Sequence, residues 1–193
     1  MTTANKVTIF RILLIPFFIV QLLYYFRTGE EWNRLAAVLA FALAALADGL
    51  DGYIARRYNQ KSELGAILDP LADKLLLTSG IILLSLDSNG RLERIPLWLT
   101  VTLISRDVIL SIGALVIHYT FGRLVVRPRF LGKLSTVFQM GIVLWILLQW
   151  TGRALPFWIF SAAIFTTVSG VIYIVDGIRQ LNASPTSAAT KDQ

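Results

Sequence analysis

Residues 47–74 read ADGLDGYIARRYNQKSELGAILDPLADK, two apolar segments joined through a short basic connection. The stretch holds five of the chain's twelve acidic residues, and four of the five are aspartates at the ends of the apolar segments. Asp48 and Asp51 are three apart and Asp69 and Asp73 four apart; on an α-helix either spacing sets a pair on one face. A nine-residue connection from Arg56 to Leu64 predicts antiparallel neighbouring helices whose aspartate pairs can face each other. Pro70 is expected in the first turns of the second helix, where a missing donor costs little. That would fix the helix start close to Asp69.

Working outward, the rest of the chain is too apolar for a soluble domain. Of 193 residues 55% are hydrophobic and 16% charged, and the mean hydropathy is +0.65; soluble chains carry about 25% charged residues. The apolar residues fall into runs near the length that a bilayer core about 30 Å thick demands of a helix. Six spans are predicted, over 9–26, 33–55, 67–86, 96–121, 131–150 and 155–178. The fold class expected is therefore all-α, a polytopic bundle of six transmembrane helices in one domain over 1–181. Pro16 should kink the first span. That span is read as a retained helix rather than a signal peptide, because no small-residue cleavage site follows it. The polar tail 182–193 has too little apolar content to pack and is expected to be disordered.

Charge sets the orientation. With the N-terminus inside, that side collects twelve cations, Lys6, Arg11, Arg56, Arg57, Lys61, Lys74, Arg123, Arg127, Arg129, Lys133, Arg179 and Lys191, against five outside, Arg27, Arg34, Arg91, Arg94 and Arg153. Cytoplasmic loops are the basic ones, so both termini are expected in the cytoplasm. The net charge of +6 points to anionic lipid headgroups as the partner, with no role for nucleic acid. The absence of Cys excludes disulfides, thiolate zinc sites and Cys nucleophiles, and a single His, His118, excludes a multi-His metal centre.

An ionised aspartate at a helix centre in the bilayer costs about 2.5–3.5 kcal/mol, so four would cost on the order of 10 kcal/mol if nothing answered their charge. The basic connection places them near the cytoplasmic interface, which lowers the figure but leaves their mutual repulsion. Arg56, Arg57 and Lys74 could neutralise part of it as a structural ion-pair cluster. Divalent cations do so more fully, and a set of hard carboxylate oxygens suits magnesium, manganese or calcium better than zinc. Four carboxylates exceed what one magnesium needs, which points to two ions and to phosphoryl chemistry. Gly49, Gly52, Ala55 and Gly65 keep the faces around the aspartates bare, for a ligand or for packing. An ion carrier is the competing class, disfavoured because the aspartates cluster at one face and no repeat is visible.

The pattern Asp48-x2-Asp51-Gly52-x2-Ala55-Arg56-x8-Gly65-x3-Asp69-x3-Asp73 resembles the signature of the CDP-alcohol phosphotransferases without a departure. The resemblance implies transfer of a phosphatidyl or similar group from a CDP-linked donor to an alcohol, with release of CMP. It implies that Asp48, Asp51, Asp69 and Asp73 hold two divalent ions, Mg2+ or Mn2+, and that Asp73, beside Asp69, is the catalytic base. It further implies that Asp48, Gly52, Ala55, Arg56 and Gly65 line the CDP site, within six transmembrane helices of a homodimer in a bacterial inner membrane.

A donor with a soluble head and buried tails favours CDP-diacylglycerol. The opening Asn5-x2-Thr8-x2-Arg11 with Leu13, Leu14 and Pro16 is similar to bacterial branches of the family whose acceptor is glycerol 3-phosphate or phosphatidylglycerol. The word Ser105-Arg106-Asp107 leans toward the lipid acceptor and Gly132-Lys133 toward glycerol 3-phosphate, which is placed first. Arg106, Arg127, Arg129 and Lys133 are the candidate acceptor-binding residues. Arg106 lies inside an apolar span and should bind either a helix carboxylate or the acceptor's phosphate.

Overall fold

The computed structural model describes the backbone of residues 3–58, 63–87, 89–121, 130–150 and 154–182, and among these the side chains outside 3–7, 48–70, 114, 116–131 and 178–182. Six helices follow one another: α1 Thr3–Thr28, α2 Glu31–Tyr58, α3 Glu63–Leu86, α4 Leu97–Phe121, α5 Phe130–Leu147 and α6 Leu155–Asn182. Among the described residues there is no strand. The helix number and order are those the apolar runs predict, and α1 continues through Pro16.

Two expectations require correction. Helix α2 continues to Tyr58 and α3 begins at Glu63, so the connection is residues 59–62 and not the nine from Arg56 to Leu64. The extension has a local cause: Arg56 and Arg57 fall in the last turn of α2 and Glu63 in the first turn of α3, each favourable to the helix dipole. Pro70 is consequently the eighth residue of α3, an interior position, and does not mark the helix start. Lacking an N–H, it offers nothing to the carbonyl of Ala66 four residues back.

The chain divides into two compact units, the first comprising residues 1–96 and 139–153 and the second 97–138 and 154–193. In the first, α1 buries a stripe at Thr8, Arg11, Ile15, Phe18, Leu22 and Tyr25. These positions alternate spacings of three and four, the period of a helix seam. The stripe packs on α2 and α3. Helix α2 meets it with small residues, Ala37, Ala40, Ala44 and Ala47, around the fully buried Phe41, whose ring lies 5.5 Å from that of Phe18. Small side chains let membrane helices approach closely and gain dispersion energy without a hydrophobic driving force.

Register follows from two contacts. Gly80 brings α3 against α1, since a β-carbon there would stand 3.6 Å from Phe18 Cζ. Seven residues earlier on both helices, Arg11 meets Asp73. Equal displacement in the same sense makes α1 and α3 parallel. Their C-terminal ends are tied together: Asn89 Nδ2 donates to the Phe26 carbonyl at 2.6 Å and Arg91 Nε to the same oxygen at 3.1 Å. Gly29, at φ +79°, closes α1 in the left-handed region, its N–H donating to Tyr25 O, and a side chain there would run into the Arg91 guanidinium. The start of α2 and the end of α5 join this end through Arg34 Nη1 to Leu147 O at 2.7 Å, and Gln149 Nε2 donates to the Tyr25 hydroxyl at 2.9 Å.

The second unit packs α4 on α6. Phe138 of α5 stacks on Phe165 at 5.2 Å and meets Trp158 edge-on at 5.4 Å. The buried Ser135 and Thr166 hydroxyls are hydrogen-bonded to each other, so both are satisfied away from solvent. Large apolar side chains nonetheless point outward in both units, among them Leu13, Leu39, Leu46, Phe157, Phe160 and Ile164. Faces of this kind match lipid rather than water. Among the described residues, Thr8–Thr28 and Leu155–Gly177 are long and apolar enough to cross a bilayer.

Asp87, 3% exposed, accepts the N–H groups of Asn89, Arg91 and Leu92 and so holds the turn after α3. Asp87→Ala strands three donors and should lower unfolding stability by about 2–3 kcal/mol. Asp87→Asn, which keeps one acceptor oxygen, should lose less. Thermal unfolding of both variants in detergent checks the order.

Candidate active site

The four signature aspartates lie on two touching helices, Asp48 and Asp51 on α2 and Asp69 and Asp73 on α3. Their level along those helices follows from the tied end of the first unit. At 1.5 Å per residue, Asp48 and Asp51 stand about 21 and 26 Å beyond Arg34, and Asp73 and Asp69 about 20 and 26 Å before Leu86. The two pairs thus reach the same depth, away from the end where Arg34, Phe26, Asn89 and Leu147 are joined. Of the four side chains only that of Asp73 lies among the described residues. The side chains of Asp48, Asp51, Arg56 and Asp69 lie outside them, as do the surroundings of Gly52, Ala55 and Gly65, while the backbone at all seven is helical.

Asp73 is held by a residue that sequence reasoning treated as a topology signal. Arg11, 0% exposed, places Nη2 3.5 Å from Asp73 Oδ1, and the aspartate side chain retains 29% exposure. A cation so deep beside apolar helices requires a counter-charge, and α3 supplies it. The signal in the sequence was the spacing: Arg11 falls on the three-four stripe that α1 buries, between Thr8 and Ile15.

In the second unit the structure gathers a cradle around Arg106 of α4. Its Nη1 donates to Asp107 Oδ1 at 2.7 Å and its Nη2 to Ser169 Oγ of α6 at 3.1 Å. The helix carboxylate it binds is that of its own neighbour in sequence. Two glycines make room: a β-carbon at Gly170 would stand 3.3 Å from Arg106 Cγ, and one at Gly132 3.5 Å from Nη2 and 3.6 Å from the Tyr173 hydroxyl. Beside the arginine, α4 and α6 leave a cavity of about 210 Å³ lined by Thr102, Ser105, Ile109, Thr166, Gly170 and Ile174 among others. Ser169, Gly170 and Tyr173 had no place in the sequence reading, although the small polar run Thr166-Thr167-Val168-Ser169-Gly170 inside an apolar helix marks a close approach. Lys133 is exposed on α5. Arg127 and Arg129 lie outside the described residues, as do Arg123, the His118 side chain and the tail from 183 onward.

Comparison with known proteins agrees with this picture. The CDP-alcohol phosphatidyltransferase family model matches residues 1–172. The chain is 34% identical over 173 residues to the CDP-diacylglycerol--glycerol-3-phosphate 3-phosphatidyltransferase of Escherichia coli K12, covering 86% of this chain and 90% of the relative. The proteins of the same description from Shigella flexneri serotype 5b and Shigella sonnei match with the same identity and coverage. With the signature aspartates level on two packed helices and the match running through all six, the chain belongs to the CDP-alcohol phosphatidyltransferase family.

Proposed function

We propose that this chain transfers a phosphatidyl group from CDP-diacylglycerol to glycerol 3-phosphate and releases CMP. The observation that carries the reading is the 34% identity, across 86% of the chain, to a relative whose name states that donor and acceptor. The unbroken signature on α2 and α3 supports the reaction type. The apolar outward faces support a membrane location, with all six helices spanning the inner membrane, both termini and the aspartate end in the cytoplasm, and residues 1–181 acting as one catalytic domain. A homodimer is the assembly expected from the resemblance.

The donor set supports divalent metal. All four side chains offer hard oxygens, and the spacings of three and four keep each pair on one helical face. Asp48, Asp51, Asp69 and Asp73 would hold two Mg2+ or Mn2+ ions, whose contribution when bound is to neutralise the diphosphate and the charge that develops on the departing CMP. Gly52, Ala55 and Gly65 keep the helix faces low enough for the cytidine nucleotide, and Arg56 stands one helical turn beyond Asp51 and Gly52 to reach its phosphates. Asp73 takes the proton of the acceptor hydroxyl as that oxygen attacks the β-phosphorus in line, and the bond to the CMP oxygen breaks. Arg127, Arg129 and Lys133 would bind the acceptor's phosphate together with Arg106, whose Nε–H has no acceptor among the described residues.

Purified protein given CDP-diacylglycerol and magnesium should release CMP with glycerol 3-phosphate and not with phosphatidylglycerol; the reverse preference would assign the lipid as acceptor. Asp69→Asn and Asp73→Asn should each lower turnover at least about 100-fold, the usual contribution of a positioned acid or base. Chelation with EDTA should stop CMP release and added Mg2+ or Mn2+ restore it. Arg129→Ala and Lys133→Ala should raise the KM for glycerol 3-phosphate about tenfold each with kcat little changed, the pattern of lost ground-state binding.

A further inference from the structure

The buried cation of α1 does more than balance charge. Arg11 occupies a position on the helix seam where Ile15, Phe18 and Leu22 follow, and an apolar residue there would pack at no electrostatic cost. A guanidinium at 0% exposure carries a desolvation penalty that the pair must offset. At 3.5 Å the contact with Asp73 is looser than the 2.7–2.9 Å of a tight charge-assisted bond. Its geometry is one-sided. Oδ1 of Asp73, the oxygen turned to Arg11, is inaccessible, yet the side chain as a whole is 29% exposed. The exposure of the side chain therefore lies on Oδ2 and the side-chain carbons and not on Oδ1. The parallel register of α1 and α3, pinned by Phe18 against Gly80 seven residues on, holds the two groups at one level.

We infer that Arg11 is a positioning residue for the transfer reaction, which anchors Asp73 through Oδ1 and so presents Oδ2 to metal and acceptor. The inference rests on the proposed phosphatidyl transfer for its kinetic readout only. Arg11, with its side chain at 0% exposure, acts through Asp73. Without it the carboxylate loses the anchor on Oδ1 and spends less time in the productive orientation. Outer-sphere partners of this kind are worth about 10–100-fold in metal affinity or activity.

The test uses the full-length protein in detergent with Arg11→Met, which fills the space without charge, and Arg11→Lys, which keeps the charge but loses the planar fork. In Arg11→Met, kcat for CMP release should fall about 10–100-fold while the KM for glycerol 3-phosphate is unchanged, and the affinity for Mn2+ alone, read by electron paramagnetic resonance, should fall by about tenfold or more. Arg11→Lys should unfold at a temperature close to the parent's and fall between the two in kcat. The double variant Arg11→Met/Asp73→Asn should lose much less relative to Asp73→Asn than Arg11→Met loses relative to the parent, the non-additivity of two residues that act as one unit. Full kcat and unchanged Mn2+ affinity in folded Arg11→Met would overturn the inference. If Arg11→Met does not fold, Arg11→Lys decides: full kcat in that folded variant leaves the arginine a structural role only. Failure of the parent protein to release CMP, with its Mn2+ binding intact, would remove the proposed function, and the Mn2+ affinity of the variants would still decide the role of Arg11.

Discussion

Negative charge gathered at the end of apolar helices is the constraint on which the first unit is built. Carboxylates brought together at the ends of apolar helices repel one another wherever the local dielectric is low. They persist only where each has an answering charge or a cation to share. For Asp73 the answer comes from α1, and bringing Arg11 to it dictates much else. The two helices must run parallel and in fixed register, so Gly80 is needed where Phe18 crosses. The alanine face of α2 then lets the third helix of the group close onto the same seam.

How far the sequence carried depended on whether the determinant was local. Six apolar runs gave six helices in the right order, because the apolar pattern that marks a helix is a property of a continuous segment. The aspartate pairs were legible for the same reason: a spacing of three or four is a statement about one helix. The boundaries beside them were not. The segment Arg56–Tyr58 looks like part of a basic loop, yet its arginines form helix readily and suit a helix C-terminus, so α2 continues. Pro70 invites a helix start, but Glu63, Leu64 and Gly65 already belong to α3.

What remained hidden was tertiary. Arg11 and Arg106 look alike in sequence, each a cation in an apolar run, and they end in different roles. Arg106 binds the next residue and Ser169, in a cradle made by Gly132 and Gly170. Arg11 finds its counter-charge sixty-two positions away, on a helix that only the packing of α1 brings near. Arg106 is set apart from the topology charges by its place inside an apolar span, whereas Arg11 is counted among them. The three-four stripe through Thr8, Arg11 and Ile15 is the signal that marks Arg11 as buried.

One end of the first unit is secured by a dense set of hydrogen bonds. At the Asp87 turn a carboxylate, two carbonyls and a tyrosine hydroxyl knit α1, α3 and the close of α5 with neutral and charge-assisted bonds. At the opposite end Arg11 of α1 meets Asp73 of α3. Fixing the helices at the Asp87 turn makes them levers of set length, so a slip of one residue there would carry Asp73 out of reach of Arg11.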